Sequence, residues 1–313
     1  MKYMRHGLLC NTIQLLILAS MVLSGCSTTT TVTGVDVFDY DEFYDGEAEL
    51  VYENKELPKT VEEMIDLGDT QLAQGKEDEA LYQYVKAADQ DNKNDIALFK
   101  IGDIHSKRGN EALATRAFEM ALDVNPDNGL ANEGLALILL NKREYDKARN
   151  HLARAEASGA TISWRVYNSL GVISDLEKDY KQAIIYYEKA LTVQPNMPLI
   201  LNNMGYSHYM SGDWDGAEKY YRKAVQNDKY FERAWRNLGL LYTRKGEYEE
   251  AVSAFTRVED LPEAYNDIGF ICMLNGKHEI SEAFFKRAIK LAPRYYEAAN
   301  TNLQKNRQLA SKK

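Results

Sequence analysis

Cysteine and histidine are scarce in this chain of 313 residues, and their scarcity excludes several kinds of site. The three cysteines, Cys10, Cys26 and Cys272, form no Cys-x-x-Cys motif, and Cys272 is more typical of a buried, inert thiol. The five histidines are scattered without the spacing of a metal site. The sequence also contains no Gly-rich phosphate loop and no nucleophile elbow. We therefore predict that the protein is not an enzyme and carries neither a metal nor a cofactor.

Positive charge is the next shortage. The chain has 38 Lys and Arg against 47 Asp and Glu, which gives a formal net charge of −9 at pH 7. Nucleic acids and anionic lipid surfaces attract proteins mainly through clustered Lys and Arg, so this balance disfavours both. We predict protein partners and no nucleic-acid partner.

The first 25 residues have the form of a secretory signal. Two basic residues precede an apolar run at 15–23, and Leu23-Ser24-Gly25-Cys26 has the form of a bacterial lipoprotein cleavage box. The alternative is an uncleaved membrane anchor. Residues 7–25 include Asn11 and Gln14 and are short for a spanning helix of about 20 apolar residues, which favours the cleaved signal.

Cys26 is the predicted lipidation site. By resemblance to bacterial lipoproteins, it becomes the first mature residue and carries a diacylglyceryl thioether and an acylated amine, with chains such as palmitate. Several acyl chains anchor a protein far more firmly than one. Ser27 stands where an aspartate marks inner-membrane retention in enteric-type sorting. The resemblance therefore implies a lipid anchor in the outer membrane, with the protein on the periplasmic face.

A repeat of about 34 residues dominates the rest of the chain. A small residue marks the same place in seven copies: Gly68, Gly102, Ala136, Gly171, Gly205, Gly239 and Gly269. A bulky residue follows each of them: Tyr84, Phe118, Leu152, Tyr187, Tyr221, Phe255 and Phe285. The clearest copy resembles the tetratricopeptide repeat through Trp235, Leu238, Gly239, Tyr242, Ala251 and Phe255.

This repeat predicts an all-α fold, a right-handed superhelical solenoid of seven repeats with a C-terminal capping helix. One helix pair cannot bury its apolar face alone, so successive pairs must stack. We place the repeats at 61–94, 95–128, 129–163, 164–197, 198–231, 232–261 and 262–295, and the capping helix with a basic tail at 296–313. The sixth copy is shortened, so we expect the stack to be least regular between the sixth and seventh copies.

Residues 26–60 separate the signal from the first repeat. Residues 27–33 are almost all Ser and Thr, which is typical of a flexible tether. Residues 36–56 contain nine acidic residues, one lysine and five aromatic residues. Acidic runs are usually solvated, but the aromatic residues favour docking on the repeats or on a partner. We predict that this segment docks reversibly in the solenoid's own groove, beside the arginines of the sixth copy, and competes with the partner.

The repeat register predicts which residues line the concave binding groove. The first helix of each pair faces that side with its second, fifth, ninth and twelfth positions. In the later copies, these and neighbouring positions hold Asn168, Asn202, Asn203, Tyr206, Tyr209, Arg233, Arg236, Asn237, Arg244, Asn266 and Phe270. Asparagine carries both a donor and an acceptor, so such a layer can hold an extended peptide by its backbone while nearby rings take apolar side chains. The alternative is an ordinary polar face in solvent.

A closer resemblance covers most of the repeats and the cleavage box. Residues 164–171 (Trp-Arg-Val-Tyr-Asn-Ser-Leu-Gly), 201–207 (Leu-Asn-Asn-Met-Gly-Tyr-Ser) and 211–214 (Ser-Gly-Asp-Trp) look like the TadD family of tight-adherence (Flp, type IVb) pilus assembly lipoproteins. The resemblance implies an outer-membrane scaffold that contacts a secretin or other components of the pilus secretion apparatus. An alternative is a periplasmic adaptor that brings peptidoglycan hydrolases or proteases together.

Overall fold

The computed structural model of the protein describes residues 40–45, 60–159 and 162–311. The predicted signal, Cys26 and the Ser/Thr tether lie outside these residues. Within the described ranges the chain forms fifteen α-helices and one short 3-10 helix, Tyr40–Phe43, and no β-strand. None of the helices in these ranges is both long and apolar enough to cross a membrane. The prediction of an all-α fold is confirmed.

The first fourteen α-helices form seven pairs, and the fifteenth stands alone at the end. The pairs are α1 (Val61–Ala73) with α2 (Glu77–Gln90), α3 (Asp95–Arg108) with α4 (Glu111–Val124), α5 (Gly129–Asn141) with α6 (Tyr145–Ala157), α7 (Trp164–Leu176) with α8 (Tyr180–Val193), α9 (Pro198–Ser211) with α10 (Trp214–Asn227), α11 (Glu232–Lys245) with α12 (Tyr248–Phe255), and α13 (Leu261–Leu274) with α14 (His278–Leu291), followed by α15 (Glu297–Ala310). Each pair packs on the next, as a solenoid of repeats requires.

Local sequence signals set the ends of these helices. Thr60 begins α1 with a capping box, in which its hydroxyl accepts from the backbone N–H of Glu63 and the Glu63 carboxylate accepts from the N–H of Thr60. The side chains of Asn94 and Asn128 accept from backbone N–H groups at the starts of α3 and α5. Helix α9 ends at Gly212, whose φ of 87° lies in the left-handed region that glycine adopts without strain.

The small and bulky residues of the repeat pack against each other inside each pair. A Cβ atom on Gly205 would lie 2.6 Å from a ring carbon of Tyr221, and one on Gly171 would lie 2.5 Å from the Tyr187 ring. Both rings are buried. The glycine is therefore needed because the backbone of the first helix lies directly against the ring of the second.

The sixth pair departs from the regular pattern, as predicted. Helix α12 has 8 residues, whereas the other α-helices have 13 or 14. The chain then turns through 256–259 before Asp260 caps α13. This turn brings the Glu259 carboxylate to Arg236 of α11, a contact that matters for the predicted groove.

Helix α15 closes the stack. Leu303 packs with Met273 and Phe285 of the seventh pair. Gln304 and Lys305 of this helix are exposed, as a polar capping helix requires. Asn302 instead turns back and bonds to the seventh pair.

Candidate protein-interaction surface

The predicted groove residues lie on the first helices of the fourth to seventh pairs, α7, α9, α11 and α13. Each of these helices contacts the next one, so their outer sides form a continuous layer, here called the first-helix face. Tyr206, Arg233 and Arg244 are exposed. Six of the others are half-buried and two are buried: Asn168, Asn203, Tyr209, Arg236, Asn237 and Phe270, then Asn202 and Asn266.

The asparagines of this face bond to one another between successive repeats. Nδ2 of Asn203 donates to Oδ1 of Asn168 at 3.0 Å, and Nδ2 of Asn237 donates to Oδ1 of Asn202 at 2.8 Å. Donor and acceptor are 35 residues apart in both cases, so each bond ties one repeat to the next. We call this series the asparagine ladder.

The ladder continues into the capping helix, where Nδ2 of Asn302 donates to Oδ1 of Asn266 at 3.0 Å. Asn202 and Asn266 are only 2% and 7% exposed. The structure corrects the prediction that these two amides are open to a peptide backbone, because their side-chain oxygens are buried and already accept hydrogen bonds. Their place in the register indicated the correct helix layer but not the depth at which they lie.

We expect Asn237→Ala to lower the free energy of unfolding by about 1–2 kcal/mol, because the buried Oδ1 of Asn202 then loses its donor. Urea denaturation followed by circular dichroism measures the change. Asn141→Ala is the matched control, since Asn141 is exposed at the end of α5 and its loss should cost under about 0.5 kcal/mol. Equal stability of the two variants would show that the ladder does not hold the repeats together.

Arg236 is part of an ion pair. Its Nη1 lies 2.6 Å from Oε2 of Glu259, whose side chain is 2% exposed. Burial, followed by the nearby Asp267 carboxylate, raises the pKa of Glu259 to about 7, although Arg236 opposes the shift. Arg236, predicted as a groove residue, therefore also compensates a buried carboxylate in the turn after α12, while 42% of its side chain stays exposed.

Tyr206, Tyr209 and Arg244 form the accessible centre of the first-helix face. The guanidinium of Arg244 lies over the Tyr209 ring, 5.6 Å from its centroid, in a cation–π contact. Tyr206 is 42% exposed. Arg233 adds an exposed cation at the start of α11. Exposed rings and guanidinium groups are the side chains that most often anchor a partner at a protein interface.

A cleft of about 190 Å³ opens beside Tyr206. Its lining consists of Val172, Asp175, Leu176, Tyr187, Asn203 and Tyr206. Sequence reasoning missed Asp175, although it occupies the twelfth position of the fourth copy and the register assigns that position to the groove. The repeat register alone therefore predicts Asp175 as a groove residue, although it is neither an asparagine nor an aromatic residue.

Phe270 contributes less to this face than predicted. Its ring packs against the cluster of Met273, Phe285 and Leu303, where α13 meets α14 and α15. Part of its apolar surface is therefore used within the fold.

Residues 40–45, the described part of the acidic, aromatic segment, dock on the first two helix pairs and are here called the docked segment. The Phe43 side chain is 0% exposed, and its backbone carbonyl accepts a hydrogen bond from Nε2 of His105 at 2.7 Å. Nδ2 of Asn110 donates to Asp45 at 2.7 Å, and Arg116 pairs with Glu42 at 2.8 Å. Aromatic burial and charge pairing therefore act together.

This position differs from the predicted one beside Arg233, Arg236 and Arg244 of the sixth copy. The docked segment is the only part of residues 36–56 that the structure describes. It contacts His105 on α3. The sixth copy has Tyr242 at the same repeat position, and the Tyr242 hydroxyl already donates to Glu218 at 3.0 Å. Basic side chains occur at both places, and the second copy in addition offers the segment the buried ring N–H of His105 for its backbone carbonyl.

We expect Phe43→Ala to lower the free energy of local opening of the first two pairs by about 2 kcal/mol, the free energy of burying such a ring. Native-state hydrogen exchange measured by mass spectrometry should show faster exchange in α2, α3 and α4 and unchanged exchange in α13 and α14. Tyr44→Ala is the milder comparison, because Tyr44 is half-buried. Unchanged exchange in α2 to α4 of Phe43→Ala would show that the docked segment does not stabilise these helices.

Known proteins share the repeat of this chain. A family model described as tetratricopeptide repeat matches residues 48–230, and two more with the same description match 202–267 and 262–295. A TPR repeat-containing protein of Methanocaldococcus jannaschii is 28% identical over 209 residues, which is 61% of this chain and 37% of that protein. The chain thus spans less than two fifths of the length of this relative.

Two solved structures show the same fold. A tetratricopeptide repeat protein from Parabacteroides merdae aligns with a TM-score of 0.52 at 18% identity, over 79% of this chain and 98% of that one. PilF of Pseudomonas aeruginosa aligns with a TM-score of 0.50 at 19% identity, over 80% of this chain and 97% of that one. At such low identity these likenesses bear on the fold alone.

Residues 48–230 make up more than half of the chain, and the seven helix pairs stack as the repeat requires. The fold formed by these repeats is typically a non-catalytic scaffold that binds other proteins. The chain therefore belongs to the tetratricopeptide repeat family.

Proposed function

We propose that this protein is a lipid-anchored scaffold on the periplasmic face of the bacterial outer membrane, where it helps assemble a tight-adherence (Flp) pilus secretion apparatus. One observation carries the proposal. A lipoprotein cleavage box at 23–26 and a repeat array whose residues 164–171 and 201–207 resemble the TadD family occur in the same chain. The partner is a secretin or another component of that apparatus.

The exposed part of the first-helix face supports a binding role. Tyr206, Arg233 and Arg244 remain accessible after the ladder and the ion pair have taken up the other polar side chains. An extended partner segment can place apolar side chains on Tyr206 and carbonyl or carboxylate oxygens near the two arginines. Because the ladder fixes the spacing of the helices, the face is already organised before a partner binds, which lowers the entropy cost of binding.

The anchor is tested first. Cys26→Ser should abolish lipid attachment, because the thiol is the acceptor and the cleavage box has no other cysteine. The protein should then leave the membrane fraction. Metabolic labelling with a clickable fatty acid measures attachment directly.

Cys272→Ser is the matched control and should still be labelled, since Cys272 is buried in the last repeat. Labelling of Cys26→Ser at the level of the unaltered protein would overturn the lipoprotein proposal.

Deletion of the gene in its own host tests the pilus role. Surface pili should disappear, return with the unaltered gene, and stay reduced with Cys26→Ser. The matched Cys272→Ser gene should restore them. Normal piliation of the deletion strain would overturn the proposal, and a cell-wall defect in such a strain would favour the adaptor for peptidoglycan hydrolases.

A further inference from the structure

We infer that the cleft beside Asp175, between the fourth and fifth repeats, binds a lysine or arginine side chain of the partner segment. The inference rests on the proposed scaffold function and specifies one residue of its ligand. The occupant is a basic side chain from another protein.

The Asp175 carboxylate accepts hydrogen bonds from two neutral hydroxyl groups. Its Oδ2 accepts from the Tyr187 hydroxyl at 2.8 Å, and its Oδ1 accepts from the Ser207 hydroxyl at 2.6 Å. Across the described ranges, no lysine, arginine or histidine forms an ion pair with Asp175; the groups that act on it are these two hydroxyls. Burial raises the pKa of Asp175 in spite of both hydrogen bonds. A half-buried carboxylate of this kind gains most from a cation placed beside it.

The first repeat shows how this chain neutralises a similar group. Tyr84 occupies the same repeat position as Tyr187, and its hydroxyl donates to Asp69 at 2.5 Å. There a cation completes the arrangement, because Nζ of Lys100 from the next repeat lies 2.6 Å from Asp69 and 5.4 Å from the centre of the Tyr84 ring. Although burial opposes it, the hydrogen bonds from Lys100 and Tyr84 hold the pKa of Asp69 below its ordinary value.

The residue that supplies this cation differs in the fifth repeat. Lys100 lies two positions before the glycine of its repeat, Gly102, and the residue two positions before Gly205 is Asn203. Asn203 lines the Asp175 cleft but is neutral, and its amide donates to Asn168. The fourth repeat therefore has a tyrosine-bonded carboxylate, three positions further along its first helix than Asp69, without the lysine that pairs with Asp69 in the first repeat.

The walls of the cleft suit a long basic side chain. Val172 and Leu176 offer apolar surface for an aliphatic stem, as Lys and Arg require when only the head group meets a carboxylate. The exposed ring of Tyr206 can flank the cation. An acidic side chain is repelled by Asp175, and a neutral one leaves the carboxylate without a counter-charge. Charge complementarity thus favours lysine or arginine.

The test uses four labelled nonapeptides, acetyl-Gly-Ser-Leu-Gly-Xaa-Gly-Leu-Ser-Gly amide, with Lys, Arg, Gln or Glu as Xaa. Fluorescence anisotropy at low ionic strength measures their binding to the full chain. We expect the Lys and Arg peptides to bind about tenfold more tightly than the Gln peptide, as a charge-assisted hydrogen bond allows. In Asp175→Asn this preference should fall to within about twofold, because the amide keeps the shape and loses the charge.

Two further variants separate a ligand site from a damaged fold. Asp103→Asn is the matched control, since Asp103 lies on the first helix of another repeat and pairs with its own Lys107 at 2.6 Å; the preference should persist. Asn203→Lys places a lysine at the repeat position of Lys100. Its ammonium should occupy the cleft and lower the affinity for the Lys peptide about tenfold. Circular dichroism checks that each variant is folded.

The inference is overturned if the unaltered protein shows no preference for basic peptides, or if Asp175→Asn keeps it. These outcomes differ from failure of the scaffold proposal. Peptides that bind regardless of Xaa and are lost in Tyr206→Ala would leave the first-helix face as a binding surface without a basic subsite.

Discussion

Replacing Gly205 with leucine should lower the free energy of unfolding by about 3 kcal/mol, the upper end of the usual range for an overpacked core. A Cβ atom at this position would already lie 2.6 Å from the Tyr221 ring, and leucine adds three more carbons beyond it. The ring is 1% exposed and cannot move away without displacing its neighbours. Urea denaturation followed by circular dichroism measures the loss.

A double mutant shows whether the contact with Tyr221 causes this loss. Tyr221→Ala alone should cost about 3–5 kcal/mol, because it empties a buried site. The double mutant should cost at least about 1 kcal/mol less than the sum of the two single changes, because the leucine side chain can occupy the space that the Tyr221 ring vacates. Ser211→Leu, at the exposed end of the same helix, is the control and should change stability by under about 0.5 kcal/mol. Strict additivity of the two core changes would contradict the packing explanation.

Arg236→Ala should cost about 3 kcal/mol at pH 8 and much less at pH 5. Removing one partner of a buried ion pair typically costs about 3–5 kcal/mol, and the low end applies because the Arg236 side chain is 42% exposed. The pKa of Glu259 is about 7 in the folded protein against an ordinary 4.5. Thermal and urea unfolding at the two pH values measure the difference.

The sign of the pH dependence follows from that raised pKa. Between about pH 4.5 and pH 7 the folded state binds a proton at Glu259 more tightly than the unfolded state, so protonation stabilises the fold. This contribution is fully present below the unfolded value and is lost as the pH rises through about 7. Without Arg236 the charged carboxylate is harder to accommodate, so the variant depends more steeply on pH than the unaltered protein.

Two comparisons make this prediction specific. Arg233→Ala removes an exposed arginine from the same helix and should change stability by under about 0.5 kcal/mol at either pH. Glu259→Gln should flatten the pH dependence and make a second change at Arg236 nearly silent. If the loss in Arg236→Ala is the same at pH 5 and pH 8, Glu259 is not the group that Arg236 compensates.

The fold was predictable because a repeat encodes it many times over. The alternation of Gly205 with Tyr221 and of Gly171 with Tyr187 is a packing requirement inside each pair, so it is written in the local sequence. The shortened sixth copy likewise predicted an irregularity in the stack, which the structure shows as the turn at 256–259.

The fine structure of the first-helix face was less predictable, because it depends on distances between repeats. Asn202 was assigned to the correct layer, but its bond to Asn237 forms only when two repeats stack at a particular spacing. Glu259 lies in the irregular turn, outside the positions that the repeat defines, so its pairing with Arg236 left no sequence signal.

The docked segment was predictable as a binding segment but not in its location. Its acidic residues match arginines in several repeats, so charge alone does not select a site. Selection depends on burial of Phe43 and on the donor provided by His105, which are properties of the assembled pairs.

Site-specific photocrosslinking in the native host tests the central claim, that the first-helix face binds a component of a pilus secretion apparatus. A photoreactive phenylalanine replaces Tyr206, which is 42% exposed on α9, and Ile185, which is 46% exposed on the second helix α8, serves as the control position. We predict that position 206 crosslinks to a secretin or another pilus assembly component, identified by mass spectrometry, and that position 185 does not. Equal crosslinking at both positions, or a peptidoglycan hydrolase as the product at 206, would contradict the account.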